Sequence, residues 1–127
     1  MDKYGLIGYP LGHSFSIGYF NEKFENEGIN ATYENFEIPS IDGLPEILDS
    51  NPNLRGLNVT IPYKKAVIPY CAELSPIAQK LQSVNVLVRR EDGTLYGDNA
   101  DAYGFAGMVR ASGIAIEGKK TLVLGSG

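Results

Sequence analysis

The feature that most constrains this chain is a repeated change of hydrophobic period along it. The strand-like runs are 4–9, 32–38, 55–62, 83–91, 95–99 and 119–125. The helical patterns are 14–29, 40–51, 63–74 (interrupted at Pro69), 75–82 and 100–114. Apolar residues alternate or run together in the first set and recur three or four apart in the second. Strands that alternate with helices predict a three-layer α/β/α fold with a mainly parallel sheet.

Local signals refine this prediction. Asp92-Gly93 lies between two strand-like runs and predicts a hairpin, so the sheet should be mixed. Ser75-Pro76 predicts a capped helix start, because serine caps helix N-termini and proline suits the first helical position. Neither face of 32–38 is cleanly apolar, which indicates a strand at the sheet edge.

Composition excludes several classes of function. The net charge of −4, without blocks of like charge, argues against a nucleic-acid-binding surface. Cys71 and His13 are the only residues of their kinds, so an internal disulfide is impossible and no metal site is expected. The chain lacks a signal-peptide pattern and an apolar segment of the roughly 20 residues needed to span a membrane. We therefore expect a cytoplasmic protein with no membrane or nucleic-acid partner.

Polar residues interrupt the strand 55–62 near its carboxyl end, where ligands bind in open α/β sheets. Asn58 and Thr60 are two positions apart and so share one face. Pro62 ends the strand, and Lys64 and Lys65 are predicted to start a helix. Successive helical residues point about 100° apart, so one lysine should face the cleft and the other solvent. The alternative is an ordinary surface lysine pair.

Three further segments carry polar side chains toward the same region. Ser14 and Ser16 lie at the start of the first predicted helix, where hydroxyls and free N–H groups suit a carboxylate or simply cap the helix. Asn85 interrupts an apolar strand and must either fix a neighbouring loop or bind a ligand hydroxyl. Asp98, Asn99 and Asp101 lie at a strand end and helix start, where any of them could cap the helix or one carboxylate could pair with the cleft lysine.

The segment TLVLGSG has the form of a strand followed by a Gly-x-Gly turn at Gly125 and Gly127. In dinucleotide-binding folds this turn leads to a helix whose N-terminus holds the pyrophosphate. The alternative is a glycine-containing chain end without that role. The pattern predicts one domain over 1–118 and the opening strand and turn of a second over 119–127.

Five segments together resemble the shikimate dehydrogenase family. They are GYPLGHSFS, LNVTIPYKK, SVNVL, GDNADAYG and LVLGSG, in the family's order and spacing across the whole chain. The family's Asn-Val-Thr-x-Pro-x-Lys pattern is intact at 58–64. The resemblance implies that 1–118 is the substrate-binding domain, with the fold of the amino-acid-dehydrogenase-like N-terminal domains. It also implies that 119–127 begin an NADP-binding Rossmann domain, with Gly125 and Gly127 as cofactor-binding residues.

The resemblance further implies the chemistry. The family reversibly reduces 3-dehydroshikimate to shikimate with NADPH. Lys64 matches the catalytic lysine and Asp101 its partner, while Ser14 and Ser16 match the residues that bind the carboxylate. The positions implied to bind ring hydroxyls are Asn58, Thr60, Asn85 and Asp101. Because the family completes its cofactor site beyond residue 127, the 127 residues alone are expected to be inactive. A homodimer is a further expectation about the assembly.

Supporting positions depart from the family pattern, while the polar substrate-facing ones are kept. Ile17 replaces a proline, Val86 replaces a threonine, and Ala100 and Ala102 replace threonine and glycine. These changes leave a quinate/shikimate dehydrogenase as an alternative. Two others are a non-catalytic hydroxy-acid-binding module and another two-domain dehydrogenase with a similar N-terminal domain.

Overall fold

The computed structural model describes residues 1–12 and 15–101, with the backbone alone at 15 and 16. The strands are β1 (Asp2–Gly8), β2 (Ala31–Glu37), β3 (Leu54–Val59), β4 (Glu73–Leu74), β5 (Val86–Arg89) and β6 (Leu95–Asp98). The α-helices are α1 (Phe15–Asn26), α2 (Leu44–Ser50) and α3 (Pro76–Leu81), and 3-10 turns cover Ile41–Gly43 and Ile68–Tyr70. Ala100 is a bend and Asp101 is helical, but residues 102–114 of the predicted helix and the strand 119–125 lie outside the described residues.

The six strands form one sheet in the order β2-β1-β3-β5-β6-β4. Only β5 runs antiparallel to its neighbours, so the predicted mixed, mainly parallel sheet is confirmed. β5 and β6 form the hairpin around Asp92-Gly93, where Gly93 adopts a φ of 87° that favours glycine. β2 lies at a sheet edge, as its two mixed faces predicted.

One face of the sheet carries the hydrophobic core. Ile7 of β1, Leu57 of β3 and Leu87 of β5 are almost completely buried and pack against Leu44 of α2 and Ala78 of α3. Burying a large aliphatic side chain contributes about 1.5–3 kcal/mol, so this cluster holds α2 and α3 on the sheet. α3 begins as predicted: the Ser75 hydroxyl accepts a hydrogen bond from the Ala78 N–H at 3.2 Å.

The opposite face is covered by α1 across the β1–β2 half of the sheet. Phe20 stacks on Tyr33 of β2 with ring centroids 4.8 Å apart, and Phe24 lies 5.9 Å from Tyr4 of β1. The apolar positions three to four residues apart in α1 therefore face the sheet, which confirms the predicted helix and completes the three layers. This packing fixes the N-terminus of α1 near the carboxyl end of β1.

The predicted helix over 63–74 is wrong. One turn forms, closed by the Val67 N–H donating to the Tyr63 carbonyl at 3.0 Å, but it does not continue. Pro69 has no N–H to donate to the Lys65 carbonyl, which instead accepts from Ile68 at 3.1 Å in a tighter turn. The chain then extends into β4, a two-residue strand beside β6 that the sequence pattern did not predict.

Candidate functional site

The predicted polar segments meet at one edge of the sheet. The carboxyl ends of β1, β3 and β6 and the amino end of β5 lie together there, because β5 runs the opposite way. Backbone hydrogen bonds join them: Thr60 N–H donates to the Ile7 carbonyl at 3.0 Å, and Val59 N–H donates to the Asn85 carbonyl at 2.8 Å. Residues far apart in sequence thus meet at this edge of the sheet, where the sequence reasoning placed the cleft.

Lys64 is held by the residues around it rather than by a helix. Tyr63 and Val67 are buried on either side of it, and the Tyr63 hydroxyl donates to the Ile38 carbonyl. The Lys64 carbonyl accepts from the Val84 N–H at 2.8 Å, which ties this turn to the segment before β5. These contacts orient the backbone so that the Lys64 side chain is half-buried while that of Lys65 is exposed.

Lys64 and Asp101 form an ion pair, with Lys64 Nζ 2.8 Å from Asp101 Oδ2. The Lys64 side chain is 28% exposed and that of Asp101 is 58% exposed, so both groups reach solvent. An exposed pair of this kind contributes about 0–1 kcal/mol to stability. Its value to the fold is therefore small, and its geometry suits a lysine held where a small molecule can reach it.

Asn85 fixes the segment that carries Asp101. Its Oδ1 accepts a hydrogen bond from the Ala100 N–H at 2.7 Å, and its own N–H donates to the Asp98 carbonyl at 3.0 Å. Asn85 lies just before β5 rather than inside it and is half-buried, so the prediction that it interrupts the strand is wrong. Of the two alternatives for this asparagine, the structure shows loop fixation. Binding of a substrate hydroxyl by Asn85 stays a prediction.

Asn58 and Thr60 lie on the α1 side of the sheet. Asn58 Nδ2 is 2.9 Å from the Tyr33 hydroxyl. Thr60 packs close to the end of β1, where a Cβ at Gly8 would lie 2.5 Å from the Thr60 methyl group. Glycine at position 8 therefore permits this approach. Asn58 and Thr60 thus lie one after the other at the carboxyl end of β3.

Tyr33, in the first half of β2, contacts Asn58 and was not singled out by the sequence reasoning. The signal was present, because Tyr33, Asn35 and Glu37 share one face of β2. An isolated strand does not reveal that an asparagine two strands away in the sheet comes within hydrogen-bond distance. The Asn35 Oδ1 atom is also buried without a hydrogen-bond partner among the described residues.

Several predicted site residues cannot be compared with this geometry. Ser14 lies outside the described residues, and Ser16 is described only by its backbone in the first turn of α1. Gly125 and Gly127 also lie outside. None of the strand-to-helix turns within 1–12 and 15–101 carries the Gly-x-Gly sequence that holds a pyrophosphate in dinucleotide-binding folds.

The described residues also limit other chemistry. They contain no group of three or more histidine, cysteine, aspartate or glutamate side chains that could hold a metal ion. No helix among them is long and apolar enough to cross a membrane. What they bring together are amide, hydroxyl, ammonium and carboxylate groups, which suit a small polyhydroxylated molecule and proton exchange with it.

Comparisons with known proteins agree with this chemistry. The family model for the shikimate dehydrogenase substrate binding domain matches residues 6–87. The NADP(+)-dependent shikimate dehydrogenase of Syntrophomonas wolfei is 44% identical over 97% of this chain and 42% of its own length. The corresponding enzyme of Halothermothrix orenii is 41% identical over 97% of this chain and 43% of its own. This chain therefore spans less than half the length of these curated relatives.

Solved structures give the same result at the level of the fold. Shikimate dehydrogenase 1 from Peptoclostridium difficile superimposes with a TM-score of 0.79 at 34% identity, over 93% of this chain and 45% of that one. Shikimate 5-dehydrogenase from Thermus thermophilus, solved in complex with NADP(H) and shikimate, gives 0.77 at 33% identity over 91% and 44%. The chain belongs to the shikimate dehydrogenase family, as a substrate-binding domain.

Proposed function

We propose that this chain is the substrate-binding and proton-transferring part of an enzyme that interconverts 3-dehydroshikimate and shikimate with NADPH. The observation that carries the proposal is the Lys64–Asp101 pair at 2.8 Å, beside the ends of the strands that bear Asn58, Thr60 and Asn85. A lysine held by a carboxylate at a cleft edge is suited to general acid–base catalysis on a hydroxyl or carbonyl oxygen.

The role of Lys64 follows from the oxygen at the reacting carbon. In the direction of reduction, the Lys64 ammonium group donates a proton to the carbonyl oxygen as it becomes a hydroxyl. In the direction of oxidation, the neutral amine accepts that proton. Asp101 holds Nζ in place through the 2.8 Å contact. NADPH supplies the hydride when it is bound, and we propose that residues beyond those described hold it, with Gly125 and Gly127 at the start of that site.

The rest of the substrate is recognised by neutral groups in this proposal. Asn58, Thr60 and Asn85 bind ring hydroxyls, and Ser14 and Ser16 bind the carboxylate at the N-terminus of α1, where unpaired N–H groups favour an anion. The domain boundary at 118, a cytoplasmic location and a homodimer belong to the same proposal.

The direct test is turnover by the complete protein that carries these residues, with shikimate or quinate and with NADP or NAD. We expect the highest kcat/KM for shikimate with NADP. Comparable turnover of quinate would assign the protein to the quinate/shikimate dehydrogenases. Shikimate binding by calorimetry without any turnover would identify a non-catalytic binding module and would contradict the proposal.

The carboxylate site gives a separate prediction. The double variant Ser14→Ala/Ser16→Ala should weaken shikimate binding by at least roughly 10-fold, since a hydrogen bond to a charged group contributes about 1.5–3 kcal/mol. Calorimetry with the complete protein measures the loss. Ser50→Ala, at the exposed end of α2, is the matched control and should leave the affinity unchanged. Unchanged affinity in the double variant would remove the carboxylate role from these serines.

A further inference from the structure

The geometry points to Tyr33 as a positioning residue that orients the Asn58 carboxamide for substrate binding. This inference rests on the proposed function and adds a residue from β2 to the substrate site. The contact that carries it is the 2.9 Å hydrogen bond between Asn58 Nδ2 and the Tyr33 hydroxyl. The two residues are 25 positions apart in sequence. They come within hydrogen-bond distance because β1 pairs with both β2 and β3 and so holds these two strands in one sheet.

Tyr33 provides a fixed point for this contact. It is only 4% exposed, and its ring stacks on Phe20 of α1 with an interplanar angle of 23°. Its backbone is bound on both sides by one side chain: Tyr33 N–H donates to Asn21 Oδ1 at 2.9 Å, and Asn21 Nδ2 donates to the Tyr33 carbonyl at 3.0 Å. The position of the hydroxyl is therefore set by helix and strand together.

Asn58 needs such a partner because its own strand does not define the orientation of its carboxamide. Leu57 and Val59 on either side of it are buried in the core and fix the backbone, but the final torsion of an asparagine is broad. A tyrosine hydroxyl can both donate and accept a hydrogen bond. It can therefore bind either the nitrogen or the oxygen of the Asn58 amide, whichever of the two faces it. The other end is then directed consistently at one substrate hydroxyl.

This arrangement predicts an effect on binding rather than on chemistry. Asn58 is not part of the Lys64–Asp101 pair, so losing its orientation weakens the ground state and the transition state alike. A loss of uniform binding raises KM and leaves kcat unchanged. A defect in the fold would instead lower the amount of active enzyme and would not separate the two constants in this way.

The test uses Tyr33→Phe in the complete protein, which keeps the ring stacked on Phe20 and removes only the hydroxyl. We expect the KM for shikimate to rise roughly 3- to 10-fold, the effect of one neutral hydrogen bond, with kcat within about 2-fold of wild type. Tyr70→Phe is the matched control, because its hydroxyl donates to Asp42 at 3.0 Å away from the cleft edge. It should leave KM unchanged.

A double-mutant cycle with Asn58→Leu separates positioning from structure. If Tyr33 acts through Asn58, Tyr33→Phe should have no further effect on KM in the Asn58→Leu background. The inference is wrong if Tyr33→Phe changes KM equally in both backgrounds, or if either single variant keeps the wild-type KM. Neither result would contradict the role of Lys64 or the proposed function. Absence of shikimate turnover by the wild-type protein would instead refute the proposed function, and the inference would fall with it.

Discussion

Replacing Lys64 by alanine in the complete protein is expected to lower kcat for shikimate oxidation by roughly 10²–10⁴-fold, the range for loss of a general acid–base group. The reason is that no other ammonium group is paired with Asp101 among the described residues. The fold should survive, because an exposed ion pair contributes about 0–1 kcal/mol and the turn is held by buried Tyr63 and Val67. Steady-state kinetics with NADP, alongside a thermal melt, measure both quantities.

Lys65→Ala is the matched control for this variant. Lys65 is the neighbouring residue, has the same charge and is exposed. We expect its kcat to stay within about 2-fold of wild type. A loss as large as that of Lys64→Ala would show that the proton transfer is assigned to the wrong lysine, or that the charge of the whole segment matters rather than one amine.

The choice between these two lysines shows what local pattern could and could not predict. A helical start at 63 predicts that the two side chains diverge, but it does not say which one faces the cleft. The turn is not helical beyond its first hydrogen bond, and the selection comes from the burial of Tyr63 and Val67 and from the bond between the Lys64 carbonyl and Val84. That last contact joins segments 20 residues apart, which periodicity does not report.

The parts of the fold predicted correctly are those with a sequence signal that involves only neighbouring residues and allows few backbone conformations. Asp92-Gly93 specifies a hairpin through backbone conformation, and Ser75 caps α3 through its own hydroxyl. β4 was missed for the opposite reason: its two residues are strand only because β6 lies beside them. A strand that short has no alternation of its own to detect.

The candidate site follows the same division. The strand-end positions of Asn58 and Thr60 could be predicted from the general placement of ligands in α/β sheets. The contact of Asn58 with Tyr33 could not, because it depends on strand order: in the sheet β1 lies between β2 and β3, while in sequence α2 separates these two strands. The loop-fixing hydrogen bond that the Ala100 N–H donates to Asn85 Oδ1 depends likewise on β5 running antiparallel.

Asp101→Asn is expected to lower kcat roughly 10- to 100-fold, because it removes the charge that holds Lys64 Nζ while keeping the size of the side chain. The effect is on the position of the amine in the transition state rather than on stability, and each loss of about 1.4 kcal/mol of transition-state stabilisation lowers the rate roughly ten-fold. Asp98→Asn is the matched control: its Oδ1 accepts from the Asn99 N–H at 2.7 Å, which an amide oxygen can also do. Its kcat should be nearly that of wild type.

The decisive comparison is between the single and the double variants. If Asp101 acts by holding Lys64, adding Asp101→Asn to Lys64→Ala should lower kcat by less than about 3-fold further, since residues that act as a unit are not additive. A full further loss of 10- to 100-fold would mean that Asp101 contacts the substrate independently of the lysine. In that case the hydroxyl-binding role that the family resemblance implies for Asp101 would account for its effect, and the 2.8 Å pair would describe the protein without substrate rather than its working arrangement.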